Sequence, residues 1–230
     1  MKDLGQRNIV FNSFLLLILL AAFSCNSKIT GEAILNKSIE FHDPENEWNS
    51  LKQKLKISSN FVYPDSSFYQ LEIGLDNQNQ RVMYSNNTLG QQVEFQKDSC
   101  TIISGNRNCE QLKWTHGFYH FIPGLPMTLK GNDAKIAPNA VDTTFHGLSC
   151  HKIQVDFEKE KWHFYISKEN YRLIGYDFNK NFEAKSEEIL GENLYEIGNM
   201  KLIKSRSWWI TTDSLIYSGK DEIIGNSPWL

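Results

Sequence analysis

The four cysteines and six histidines of the chain are the residues whose chemistry must be weighed first. His116 and His120 have the spacing of metal ligands on a helix, but Gly117, Phe118 and Tyr119 between them favour an extended chain. In a strand, at 3.3 Å per residue, positions four apart lie about 13 Å apart and cannot share one ion. Zinc sites also need further ligands that this spacing does not supply, so no metal is expected. His42 falls at the edge of an apolar helical face and reads as a hydrogen-bonded structural histidine. Gly147-Leu148-Ser149-Cys150-His151 half resembles a nucleophile elbow. That motif needs a second glycine and a following helix, whereas here the glycine is missing and a strand comes next. Cys150 and His151 are adjacent, so on a strand they point to opposite faces and cannot form a nucleophile–base pair. There is no phosphate-binding loop and no dinucleotide fingerprint. The residues therefore point to a protein that is not an enzyme and carries no cofactor.

The other cysteines suggest covalent roles. Cys100 and Cys109 flank the turn signal Ser104-Gly105-Asn106. A hairpin centred between Ser104 and Gly105 would set them directly opposite, with Cβ atoms about 4.5–5.5 Å apart, where a disulfide can close. The alternative is a pair of free, buried thiols. Cys150 is then the odd cysteine, a small apolar filler. Cys25 ends the string Ala22-Phe23-Ser24-Cys25, directly after the apolar run from Phe14 to Phe23. Lys2 and Arg7 precede that run. It is too short to span a bilayer, which takes about 20 residues, but suits the core of a signal peptide. The junction resembles a lipobox, the site where bacterial lipoproteins receive a diacylglyceryl group on cysteine and are cleaved. It departs from the usual pattern in having Ala22 at position −3 and a bulky Phe23 at −2. Asn26 stands where an aspartate would resemble an inner-membrane retention signal. These features predict a cleaved signal peptide over 1–24 and one domain over 25–230; the alternatives are an ordinary signal peptide whose cysteine lies there by chance and an uncleaved anchor. The same features also predict a lipid on Cys25 and residence at the periplasmic face of the outer membrane.

With 24 basic and 27 acidic residues, the net charge is −3, and no basic cluster is present. Nucleic acid is therefore not an expected partner. The elements that must position any site can be read from periodicity. From Thr30 to His42, Ile34, Leu35, Ser38, Ile39, Phe41 and His42 share one face of a helix, and Asp43-Pro44 ends it. After that the period is two. Leu55 and Ile57 alternate with polar residues, as do Tyr69, Leu71, Ile73 and Leu75. Arg81 to Ser85 and Val93 to Phe95 are further short strands. Ile153, Val155 and Phe157, then Trp162, Phe164 and Ile166, flank Glu158-Lys159-Glu160-Lys161 as a hairpin. Ile174, Tyr176 and Phe178 come next, then Trp208 and Ile210. About nine to eleven short strands with regular turn signals predict a mainly β, antiparallel architecture. Phe118 to Met127 does not alternate; two prolines and a glycine exclude a regular strand through its second half. Such an apolar loop must be buried or must cover something apolar.

Several segments carry a resemblance. These are Phe41-His42-Asp43-Pro44 with Trp48, Gly117-Phe118-Tyr119-His120-Phe121 with Gly124-Leu125-Pro126-Met127, Trp162-His163-Phe164-Tyr165, and Tyr171-Arg172-Leu173-Ile174-Gly175-Tyr176. Together they are similar to an uncharacterised family of secreted or lipid-anchored bacterial proteins. The pattern of one N-terminal helix and a long antiparallel sheet also resembles the LolA/LolB lipoprotein carriers. That resemblance implies a sheet curved into a half-open barrel whose apolar cavity, covered by helices and loops, holds acyl chains. It concerns architecture, and fold alone does not fix function. The expectation is a lipid-anchored envelope protein that binds or carries an apolar ligand, with Phe118, Phe121, Leu125 and Met127 facing the ligand. The competing expectation is a structural or interaction lipoprotein whose barrel is filled by its own side chains. Anchoring is the most direct consequence of the sequence. Cys25→Ala is expected to give an exported protein released from membranes, since two acyl chains at about 0.8 kcal/mol per buried CH₂ supply the anchor. Membrane fractionation checks it: a variant that stays bound like the wild type refutes the lipid.

Overall fold

The computed structural model describes residues 29–64, 66–130, 134–180, 186–211 and 213–229, with the side chains of Trp114, His116 and Lys180 left aside. The signal segment 1–24 and Cys25 lie outside the described residues.

The predicted helix is α1, Gly31–His42. The Thr30 hydroxyl accepts from the Ala33 N–H at 3.1 Å, satisfying one of the unpaired donors of the first turn. Ile34, Leu35, Ser38 and His42 form its buried face. Asp43 ends the helix and orders the chain beyond it. Its carboxylate accepts from the backbone N–H groups of Glu47 and Trp48 at 2.7 and 3.0 Å, which seats Trp48 in the core.

Thirteen strands come after it, all paired antiparallel in one sheet. They are β1 (Lys52–Phe61), β2 (Ser67–Asp76), β3 (Arg81–Asn86), β4 (Gln91–Gln96), β5 (Ser99–Ser104), β6 (Lys135–Ile136), β7 (Val141–Phe145), β8 (Leu148–Asp156), β9 (Glu160–Ser167), β10 (Leu173–Lys180), β11 (Ser186–Ile197), β12 (Met200–Thr211) and β13 (Leu215–Pro228). Their order is β5-β4-β3-β2-β1-β13-β12-β11-β10-β9-β8-β6, with β7 also on β8. β1 to β5 run outward from the middle to one edge. The chain then crosses to the other edge and returns inward until β13 zips against β1, from Gln53 opposite Pro228 to Phe61 opposite Gly219. The sheet does not close, so the fold is a half-open barrel.

The crossing segment gives the fold its interior. Between β5 and β6 lie a second helix, α2 (Cys109–Phe121), and two single turns of 3₁₀ helix, Ile122–Gly124 and Met127–Leu129. They pack on the concave face in two apolar clusters. One joins Ile34 and Leu35 of α1, with Ile122, Leu125 and Leu129, to β8–β12 through Trp162, Phe164, Tyr176, Ile189 and Trp208. The other joins Trp48, Leu112 and Met127 to β1–β4 through Leu55, Ile57, Leu71, Ile73 and Val93. The opposite face of β7–β10 carries a smaller cluster in which Phe145 stacks on Tyr165 at 3.9 Å beside the buried Cys150. Gly175 makes room for it: a Cβ there would stand 2.6 Å from Phe145 Cε1.

Three sequence expectations change. α2 is a second helix where the sequence pattern predicts a strand and a loop. Cys109 is its first residue, so the hairpin centred between Ser104 and Gly105 does not form. His116 and His120 lie on this helix, not on an extended chain. The physical reason is a capping box: the Asn108 side chain accepts from the Gln111 N–H at 3.1 Å, and Gln111 Oε1 accepts from the Asn108 N–H at 2.9 Å. The Phe118–Met127 segment is accordingly the last turn of α2 continued by 3₁₀ turns.

Gly124 is where the crossing segment meets Trp48. A Cβ on it would lie 2.2 Å from Trp48 Cζ2 and 2.5 Å from Thr128 Cγ2. Gly124→Ala is therefore expected to lower unfolding free energy by about 1–3 kcal/mol through overpacking. Urea denaturation measures it; an unchanged midpoint means the segment is not seated on Trp48.

Candidate functional site

The candidate site is the apolar contact between the concave face and its helical cover. Two arrangements hold the cover in place. His42, fully buried at the end of α1, bridges two strands: its Nδ1–H donates to the Lys201 carbonyl of β12, and its Nε2 accepts from the Leu173 N–H of β10 at 3.0 Å. Each ring nitrogen has one role, which requires the neutral ring. Burial pushes its pKa down to about 4. At the other end of the cover, a disulfide joins Cys109, the first residue of α2, to Cys100 on β5, with Cα atoms 6.0 Å apart.

Inside, a charge pair is sunk in apolar surroundings. Arg206 on β12 and Asp221 on β13 stand opposite each other in register, and both are buried. Asp221 accepts from Arg206 Nε and Nη2 at 2.6 Å and from Trp208 Nε1 at 2.9 Å. On its other side Arg206 is paired in register with Gly191 of β11, which brings no side chain of its own. The remaining Arg206 nitrogen, Nη1, and the nearby Tyr176 hydroxyl are buried without a hydrogen-bond partner among the described residues. Burial raises the Tyr176 and Tyr119 pKa values, so both phenols are neutral.

The four residues expected to face a ligand are divided between the two clusters. Phe118 packs on Trp208 with ring centroids 5.7 Å apart, and Phe121 lies edge-on to Trp162 at 5.4 Å. Leu125 is fully buried beside them, while Met127 belongs to the other cluster. Met127 also borders a cleft of about 350 Å³ that opens beside Trp48. Its rim includes Lys97 and Lys130, two residues that sequence reasoning misses. Nothing in their local sequence marks them, because the cleft is assembled from distant segments. Arg206 is missed as well, although it stands two residues before Trp208 and so on the same face of β12.

The groups weighed for nucleophilic chemistry are occupied elsewhere. Gly147, at φ 80°, succeeds His146 in the tight turn between β7 and β8. Cys150 is buried, and burial raises its thiol pKa. His151 is held by Asp142 at 2.8 Å. Among the described residues, no group of three or more His, Cys, Asp or Glu side chains is arranged to hold a metal ion. No helix among them is long and apolar enough to cross a membrane.

No family model and no curated protein matches the sequence. Solved structures do. A LolA superfamily protein from Nitrosomonas europaea superposes with a TM-score of 0.57 at 11% identity, over 87% of this chain and 94% of that one. The chain has the LolA fold. At that identity the likeness concerns architecture alone. A domain from Vibrio parahaemolyticus described as outer membrane lipoprotein-sorting aligns at a TM-score of 0.49, 11% identity, and 86% and 93% coverage. A DUF1329 family protein from Desulfovibrio piger aligns at 0.44, 7% identity, and 86% and 92% coverage. Within the LolA fold of this chain, His42 is the tie between the N-terminal helix and the sheet.

That tie gives a pH dependence. The unfolded histidine has a pKa near 6.5 and binds more protons than the folded one between that value and about 4. Its contribution is therefore complete above pH 6.5 and is lost as pH falls toward 4. The stability advantage of the wild type over His42→Gln is expected to shrink by about 2–3 kcal/mol between pH 7 and pH 4.5. Urea midpoints at the two pH values test it; a constant difference refutes a neutral, buried His42.

Proposed function

We propose that the protein is a non-catalytic, lipid-anchored envelope carrier or sensor that holds an apolar ligand, an acyl chain, between its sheet and its helical cover. One observation carries the reading. Apart from the Arg206–Asp221 pair, the concave face buries apolar side chains from β1–β4 and β8–β12, yet it is covered by two short helices and two 3₁₀ turns that add no strand to the sheet. Such a cover separates from the sheet without breaking a ladder hydrogen bond, so apolar surface can be exchanged for an apolar ligand. The LolA fold supports the same reading, as does the resemblance to lipoprotein carriers. Phe118, Phe121, Leu125 and Met127, on the inner side of the cover, are the proposed ligand contacts. The lipid on Cys25 and the outer-membrane location belong to the proposal, and they would set the site at a lipid surface. The buried Cys150 and the engaged His151 support a role without catalysis.

A second reading has its own observation. Leu125 and Leu129 are packed as core residues, which favours a filled barrel acting as an interaction module. Delipidated protein is expected to bind a fluorescent fatty acid at micromolar concentration, and Leu125→Ala to weaken that binding while costing less than about 2 kcal/mol of stability. Protein that binds no such probe, and loses about 2–5 kcal/mol on Leu125→Ala, is a filled barrel instead.

A further inference from the structure

The cleft beside Trp48 combines an apolar floor with a charged rim. Trp48, Val82 and Met127, all buried members of the β1–β4 cluster, form the floor, so the cleft is backed directly by the apolar core. Asn49, Gln80, Lys97 and Lys130 are exposed at the rim. No aspartate or glutamate among the described residues lines it. Its volume of about 350 Å³ lies within the range of small-molecule sites, about 300–1,000 Å³.

The walls are built from parts of the chain that the fold fixes independently. Trp48 is set by Asp43, and Met127 and Thr128 belong to the last turn of the cover. Gln80 and Lys97 come from the β2–β3 and β4–β5 turns, which the Lys97 N–H joins by donating to the Gln80 carbonyl at 3.1 Å. Two polar groups on the wall are already committed: the Thr128 hydroxyl donates to the Phe121 carbonyl at 3.0 Å, and Asn77 Nδ2 donates to the Trp48 carbonyl at 2.7 Å. The Asn77 amide oxygen is different. It is buried and has no partner among the described residues, so it can accept from a hydroxyl on a ligand. His120 also lines the cleft; burial lowers its pKa, so its ring is uncharged at neutral pH and the lysines supply the positive charge.

We propose that this cleft binds the anionic head of an acyl amphiphile. Lys97 and Lys130 neutralise a carboxylate or phosphate, and the acyl tail runs over Trp48 and Met127 into the interior. The proposal rests on the carrier reading and adds the polar end of its ligand. An apolar ligand with no charge would have no use for two lysines above an apolar floor. A free ion such as inorganic phosphate would have no use for the floor.

The test compares three lauroyl probes by calorimetry below their micelle concentrations: laurate, lauroyl lysophosphatidic acid and neutral monolaurin. Both anions are expected to bind the delipidated wild type at least about tenfold tighter than monolaurin, with the difference weakened by salt. The better of the two anions identifies the head as carboxylate or phosphate. Lys97→Gln with Lys130→Gln should erase the preference and leave monolaurin binding unchanged. Asn49→Trp, a rim substitution that blocks the cleft, should weaken all three. If all three probes bind the wild type equally, or the lysine variant keeps the preference, the head site is overturned while the carrier reading stands. If the probes bind Asn49→Trp as they bind the wild type, the ligand lies elsewhere and the cleft is overturned. If none binds the wild type, both proposals fall.

Discussion

An antiparallel sheet that curves without closing leaves one apolar face to be buried by something other than itself, and the rest of this structure depends on that constraint. The connectivity meets it. β1 to β5 lead to one edge, and the next strands to pair are at the opposite edge, so the intervening chain must pass over the concave side. Because it is helical, its backbone hydrogen bonds are made internally, and its side chains alone meet the sheet. Ile122, Leu125, Met127 and Leu129 supply the contact, and α1 completes it. The interior is thus a layer of apolar contacts with little hydrogen bonding across it.

The few polar groups within that layer fix its geometry more than they stabilise it. A buried ion pair such as Arg206–Asp221 gains little over apolar residues of the same shape, but losing either partner leaves an uncompensated charge. The two residues face each other across β12 and β13, with Trp208 as a further donor, and so pin the register of strands at the centre of the sheet. His42 does the same between layers, joining α1 to β10 and β12 through a ring that must be neutral. Charge appears at the rim of the Trp48 cleft, where Lys97 and Lys130 are exposed to solvent.

The strands are largely legible in the sequence because burial on one face imposes a period of two. Leu71, Ile73 and Leu75, or Trp162, Phe164 and Ile166, alternate as a sheet covered on one side requires. The first helix is legible from its apolar face and from Asp43-Pro44. The second is not: α2 mixes aromatic, polar and glycine residues without a clean apolar stripe. Its signal is the Asn108–Gln111 capping box, a short local motif that competes with the turn signal between Cys100 and Cys109. The strands β11 and β13 are hard to read because polar residues such as Glu192 and Asp221 interrupt their alternation.

By itself, the sequence determined the antiparallel class, the apolar character of the Phe118–Met127 segment, and the apolar run and cysteine on which the anchoring proposal stands. Each is written locally, in runs and periods of neighbouring residues. Only the tertiary structure decided that the Phe118–Met127 segment is helical cover, that its apolar residues divide between two clusters, and that Trp48, Lys97 and Lys130 share a cleft. Those facts depend on which distant segments are brought together when the chain crosses an open sheet. No periodicity within one segment encodes that meeting.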